Sequence, residues 1–290
     1  MYLRHSPTNK QLTTFLLKLI NLVFLVYFGT NGAGKTTTIR MLLGIIKKDT
    51  GNITWNGKRV ERKSVNFGYL PEERGVYPKT KIYDQLMYFA KLKGMSKSEA
   101  DKAINKWAKV LKVEEYIPMP AEKLSKGNQQ KIQFMTSILH NPELIVLDEP
   151  FSGLDPVNTE ILKNIIIDLV KDGKYIIMSS HQMASIEEFC TDILILNKGK
   201  TVLQGNLKEI KETYKANRLE LSTNKNIDEY IKEFNMDIEF SKNNEYSIKI
   251  DSEEKAHQLW HKLVSDDIEV DKFEIKKPTL NDIFIEKVGE

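Results

Sequence analysis

The sequence predicts an α/β protein with a mainly parallel sheet and a helical insert, followed by a smaller α+β module. Three observations carry this. Short apolar runs alternate with helical patterns through the first two thirds of the chain, a glycine-rich loop joins the first such run to the first helix, and beyond Ala216 the elements become shorter and the pattern changes. A chain of 290 residues, 41% hydrophobic and 29% charged, has a globular make-up and room for two domains. Its net charge of +3, spread over scattered lysines, gives no electrostatic case for nucleic acid. Cys190 is the only cysteine, which excludes an internal disulfide and a cysteine-based metal cluster.

Taken in order, Leu12 to Phe28 comes first, mostly apolar but interrupted by Lys18 and Asn21, and marginal in length for a membrane span. Because the glycine-rich loop starts at its end, it reads as a buried strand, Asn21 to Phe28, behind an ill-defined helix. Thr37 to Leu43 is helical. Gly51 to Lys58 reads as a short strand entering a hairpin, since Asn56-Gly57 tolerates the positive φ of a tight turn. Val65 to Leu70 is a strand stopped by Pro71. Ile82, Leu86, Phe89 and Ala90 share one helical face, and Ser96-x-x-Glu99 is a capping box that opens a helix to Val113. With the helix Ser125 to Leu139 these form a helical insert at about 80–140. Leu144 to Leu147 is a buried strand and Thr159 to Lys171 a helix closed by Gly173. Tyr175 to Ser179 and Ile193 to Leu196 are further strands. Arg218 to Ser222, Ile227 to Phe234, Met236 to Phe240, Tyr246 to Ile250, Ser252 to Ser265 and Ile268 to Ile275 then read as βαββαβ. That is a small ferredoxin-like module, with a last helix from Thr279.

Two elements carry chemistry on their own terms. Gly29-Thr30-Asn31-Gly32-Ala33-Gly34-Lys35-Thr36 fits G-x-x-x-x-G-K-[ST], between a strand and a helix. Its glycines let successive amides face phosphate oxygens, so Gly29, Asn31, Gly32, Gly34 and the following Thr37 are expected to bind nucleotide. Lys35 reaches the terminal phosphates, the Thr36 hydroxyl binds Mg²⁺, and the helix turns its positive end to the anion. Leu144-Ile145-Val146-Leu147-Asp148-Glu149 is an apolar strand ending in two carboxylates, at the edge where ligands of α/β sheets gather. Asp148 is suited to hold Mg²⁺, and Glu149 to take a proton from a water facing the terminal phosphorus.

Leu124-Ser125-Lys126-Gly127-Asn128 resembles the LSGGQ signature of ATP-binding cassette (ABC) proteins, Ser152-Gly153-Leu154-Asp155 resembles their D-loop, and His181 their switch histidine. The order and spacing of these motifs with the phosphate loop extend the resemblance over residues 29 to about 210. It implies a P-loop NTPase fold with an ABC ATPase domain at 29–215 and an accessory domain at 216–290. Its ligands would be ATP and Mg²⁺, with Glu149, His181 and Asp148 at the hydrolytic centre. Ser125, Gly127 and Asp155 would close over the nucleotide of a second, identical subunit, as the anion-attracting helix start at Ser125 also suggests. The tail from Pro278 to Phe284 resembles exporter ATPases of a bacterial sodium-extrusion branch (ABC-2 type). That implies a separate integral-membrane permease as partner and a peripheral place on the cytoplasmic face of the plasma membrane. The other class of cassette, a soluble ATPase acting on ribosomes or nucleic acid, usually brings paired cassettes, coiled-coil insertions or basic arms.

The chain departs from the family in three places. Lys126 and Asn128 replace a glycine and the glutamine of the signature, while Ser125 and Gly127 remain. Glu72 stands where relatives carry the glutamine that senses metal and permease, and is expected to contact nucleotide and Mg²⁺ with an added charge. The two strands and the adenine-stacking aromatic residue that relatives place ahead of the loop have no counterpart in residues 1–28. One possible coding sequence for Val23 to Tyr27, read in a shifted frame, gives Ile-Phe-Gly-Leu, close to what relatives have there. Residues 1–28 therefore read as an anomalous, frame-shifted segment, with an inactive product as the corollary.

Overall fold

The computed structural model describes residues 24–30, 32–50, 53–55, 58–59, 65–73, 75–181 and 183–289. The chain divides into two compact units, Met1–Gln204 and Gly205–Glu290. The boundary expected at 216 thus lies inside the second unit, which begins eleven residues earlier.

In the first unit the elements run β1 (Phe24–Gly29), α1 (Lys35–Leu42), the short pair β2 (Thr54–Trp55) and β3 (Lys58–Arg59), and β4 (Phe67–Leu70). The insert follows with α2 (Ile82–Leu92), α3 (Lys97–Leu111) and α4 (Lys126–Ile138). Then come β5 (Leu144–Asp148), α5 (Pro156–Lys171), β6 (Tyr175–Ser180), α6 (Met183–Glu187), β7 (Asp192–Asn197) and β8 (Lys200–Asn206), whose last two residues already count to the second unit. The six-stranded sheet has the order β4-β5-β6-β1-β7-β8. The pairs β4/β5, β5/β6, β6/β1 and β1/β7 are all parallel. All six residues of β1 and all five of β5 are buried, as befits strands covered on both faces. Side chains of β1, β5, β6 and β7, including Leu25, Leu144, Val146, Ile177 and Leu194, build the core with Ile39 and Leu43.

Local chemistry explains the helix starts. Ser96 accepts from the Glu99 N–H while the Glu99 carboxylate accepts from the Ser96 N–H, which is the capping box expected for α3. α5 begins at Pro156, three residues ahead of the expected Thr159, because Asp155 accepts from the Asn158 N–H and Pro156 is preset for the first helical position. The strand β8 was not legible in the sequence. It leaves β7 through Lys198-Gly199, both at positive φ, and is mostly exposed or half-buried with no apolar alternation.

The second unit comprises α7 (Leu207–Thr213), β9 (Arg218–Thr223), α8 (Asp228–Glu233), β10 (Asp237–Lys242), β11 (Glu245–Lys249), α9 (Glu253–Ser265), β12 (Val270–Lys276) and α10 (Leu280–Gly289). Its antiparallel sheet has the order β10-β11-β9-β12. For a βαββαβ chain this 2-3-1-4 order is the ferredoxin-like arrangement. Leu219, Leu221, Tyr246 and Ile248 of the sheet bury against Ile231 of α8 and Ala256, Leu259 and Leu263 of α9. Among the described residues, no helix is long and apolar enough to cross a membrane.

The packing of α4 on β4 depends on Gly68, where a Cβ would lie 2.0 Å from the Ser137 carbonyl oxygen of α4. Gly68→Ala is expected to cost about 1–3 kcal/mol in chemical denaturation, through overpacking against backbone. Gly75→Ala, where a Cβ meets nothing within 4 Å, is the near-neutral control.

Candidate active site

Parallel pairing brings the chemistry to one place. Phe28 registers with Ser180, Asp148 with Ser179, and Leu70 with Leu147, so β1, β6, β5 and β4 all end at the same edge of the sheet. The segments that leave those ends are the phosphate loop, His181, Glu149 and Glu72.

The loop geometry follows from its residue types. A Cβ on Gly29 would fall 2.7 Å from the Leu196 carbonyl oxygen and 2.8 Å from the Ala33 Cβ, so only glycine fits there. Gly32 and Gly34 take φ of 81° and 101°, the left-handed region. Gly34 is the N-cap of α1, and neither a side-chain cap nor an acidic residue occupies the first turn. The amides at this helix start are thereby left to an anion. Lys35 is 8% exposed, and its Nζ donates to the Gly29 carbonyl at 2.7 Å and to that of Thr30 at 3.4 Å.

Beside the loop, Ser179 links the two carboxylate residues. Its hydroxyl donates to Asp148 Oδ1 at 2.5 Å and accepts the Glu149 N–H at 3.0 Å. Asp148 is fully buried, and its Oδ2 has no hydrogen-bond partner among the described residues. A buried carboxylate oxygen without a partner is costly unless a cation or a cation's water meets it, so the donor set fits Mg²⁺. Glu149 adopts φ 52°, and its Oε2 accepts from the His181 N–H at 3.3 Å and lies 2.8 Å from His181 Nδ1. Burial pushes the Glu149 carboxyl above its ordinary range, against the opposing pull of His181 and Lys35.

Between these walls lies a cleft of about 170 Å³ lined by Thr30, Gly32, Ala33, Gly34, Lys35, Thr36, Thr37, Glu72 and Glu149. That is below the 300–1,000 Å³ of sites that enclose a drug-sized ligand, and a lining of loop residues and Lys35 suits the phosphate part of a nucleotide.

The ABC transporter family profile matches residues 17–152, and that of the C-terminal domain of DrrA1-3-like ATP-binding proteins matches residues 205–288. YhaQ, an ABC transporter ATP-binding protein of Bacillus subtilis, is 45% identical over 263 residues, 90% of this chain and 88% of its own. A second, from Alkalihalophilus pseudofirmus, is 43% identical over 267 residues, 90% and 98% of the two chains. The chain belongs to the ABC transporter ATP-binding protein family. A solved ATP-binding subunit of an ABC transporter matches with a TM-score of 0.60 and 29% identity, over 66% of this chain and 81% of that one. As an ABC ATPase, this chain binds and hydrolyses ATP.

Of the residues singled out in the sequence, Gly32, Gly34, Lys35, Thr36, Thr37, Glu72 and Glu149 meet in the ABC cleft. Asp148 joins them through Ser179, and His181 through Glu149. Gly29 is buried at the loop's root, and Asn31 lies outside the described residues. Ser125, Gly127 and Asp155 do not line the cleft. They form a second cluster: Ser125 caps α4, Asp155 caps α5, and a Cβ on Gly127 would touch Leu154 at 3.5 Å. Hydrogen bonds from Asn158 hold the Asp155 carboxyl below the usual range. Ser179 was missed in the sequence because a serine ending an apolar strand looks like any turn residue; its register with Asp148 is a tertiary fact.

The raised Glu149 value means that the folded protein holds this proton more tightly than the unfolded chain, so its ionisation opposes folding as pH rises through the folded value. Glu149→Gln should therefore unfold at a higher temperature than the parent at about pH 8 without nucleotide. The gap should close as pH falls below the ordinary glutamate range, as followed by circular dichroism melts.

Proposed function

We propose that this ABC ATPase is the energy-supplying subunit of an exporter, closing as a homodimer on ATP to drive a separate membrane permease. The observation that carries the catalytic part is the Glu149 carboxylate, lifted in proton affinity, oriented by His181 and lining the same cleft as Lys35 and Thr36. A carboxylate so placed accepts a proton from a water directed at the terminal phosphorus of ATP. His181 fixes the carboxylate through its Nδ1 and its backbone N–H. Lys35 exchanges the loop carbonyls for phosphate oxygens. Thr36, Asp148 and Glu72 would hold Mg²⁺. When bound, that ion would neutralise negative charge on the phosphates as it develops toward the transition state.

Ser125 and Gly127, with Asp155 beside them, present an anion-attracting helix start outside the chain's own cleft. A second copy related by a two-fold axis supplies the complementary cleft, so two nucleotides lie between two chains. Export and the ABC-2 type branch rest on the likeness of the Pro278 to Phe284 tail. A permease partner implies a peripheral position on the cytoplasmic face of the plasma membrane. The small net charge of +3 gives no support to a nucleic-acid partner.

Glu149→Gln should bind ATP, lose hydrolysis by about 10²-fold or more as expected for a missing general base, and elute as an ATP-dependent dimer in size-exclusion chromatography. Turnover at the parent's rate would remove Glu149 from the role of base. An ATP-indifferent monomer would remove the dimer reading and point to the inactive product. Co-purification with ribosomes or nucleic acid, in place of a polytopic membrane protein, would overturn the exporter assignment.

A further inference from the structure

Two buried glutamines of the helical insert peg the segment that carries Glu72. Gln133 of α4 is 7% exposed. Its Nε2 donates to the carbonyl oxygens of Pro71 at 3.2 Å and Glu73 at 2.9 Å, and its Oε1 accepts the Gly75 N–H at 3.3 Å. Gln85 of α2 treats the next stretch alike, accepting the Tyr77 N–H at 2.8 Å and donating to the carbonyls of Tyr77 at 3.0 Å and Thr80 at 2.8 Å. Pro71, Glu72, Glu73 and Gly75 make no backbone-to-backbone hydrogen bond among the described residues. The path of the chain on either side of Glu72 is therefore set by the Gln133 amide.

Only certain side chains can do this. A backbone that offers two acceptors and one donor needs two N–H groups and an oxygen on a single planar end. Glutamate lacks the donors, and lysine and arginine lack the acceptor. Glu73 and Gly75 are exposed and Pro71 half-buried, so water can replace the lost partners if Gln133 is removed. The loop is then released while α4 stays folded. Ser125 caps the same helix, and Gln133 lies about two turns farther along it.

We infer that Gln133 is a positioning residue for ATP hydrolysis: it holds Glu72 in the phosphate cleft and ties the Glu72 loop to the helix that begins at Ser125. The inference rests on the ATPase reading above, with Glu72 on the metal side of the site.

The test uses the full chain with Gln133→Met, which keeps the volume but makes no hydrogen bonds, and Gln133→Glu, which keeps only the acceptor. Each is also made in a Glu72→Ala background. kcat, KM for ATP, the Mg²⁺ concentration for half-maximal activity, ATP affinity with and without Mg²⁺, and thermal unfolding are measured. With Glu72 present, both substitutions should lower kcat by ~10-fold or more and raise the Mg²⁺ requirement, at little cost in melting temperature. With Glu72→Ala they should add nothing further, the non-additivity of residues that act as one unit. Equal losses in both backgrounds, or an unchanged kcat and Mg²⁺ requirement, would overturn the inference. A parent chain that hydrolyses no ATP would overturn the ATPase reading instead.

Discussion

The parallel register of β5, β6 and β1 is the constraint on which the site depends. Residues far apart in the chain reach one edge because each strand points the same way and its partner ends beside it: Asp148 opposite Ser179, and Phe28 opposite Ser180. The strands are buried on both faces, so a slip of register would move apolar side chains and catalytic ends together. The site is thereby as firmly placed as the core.

Within that frame the electrostatic balance is tight. Two adjacent carboxylates stand next to one lysine, in a place where burial raises the cost of charge. Neighbours share out the cost. Ser179 binds one oxygen of Asp148 and the backbone of Glu149, His181 binds the Glu149 carboxylate, and Lys35 rests on loop carbonyls. One oxygen, Asp148 Oδ2, has no such neighbour among the described residues, and it is the atom a divalent cation best satisfies. The same accounting gives the glutamine pegs their meaning, because an irregular segment between β4 and α2 lacks a backbone ladder and takes its partners from side chains.

The second unit is built on another principle. Its sheet is antiparallel, with Leu219, Leu221, Tyr246 and Ile248 turned toward α8 and α9, while Arg218, Glu220 and Ser222 alternate with them on β9. An alternating strand of this kind keeps one polar face, which is why Arg218 to Ser222 could be read directly from sequence.

Much of this protein was legible from sequence because its signals are local. A loop that needs glycine at positive φ, a capping box at Ser96, apolar runs that can only be buried strands, and the Asp148-Glu149 pair each announce themselves within a few residues. Strand β8 escaped because its half-buried, polar residues carry no period, and the start of α5 because Asp155 serves as a cap in a segment that reads as a loop. What the tertiary structure alone decided is which groups meet. Ser179 beside Asp148, His181 against Glu149 and Gln133 under the Glu72 loop join residues that are about 30 to 60 positions apart, and pairing at that distance is set by strand order and helix packing, which no local pattern encodes.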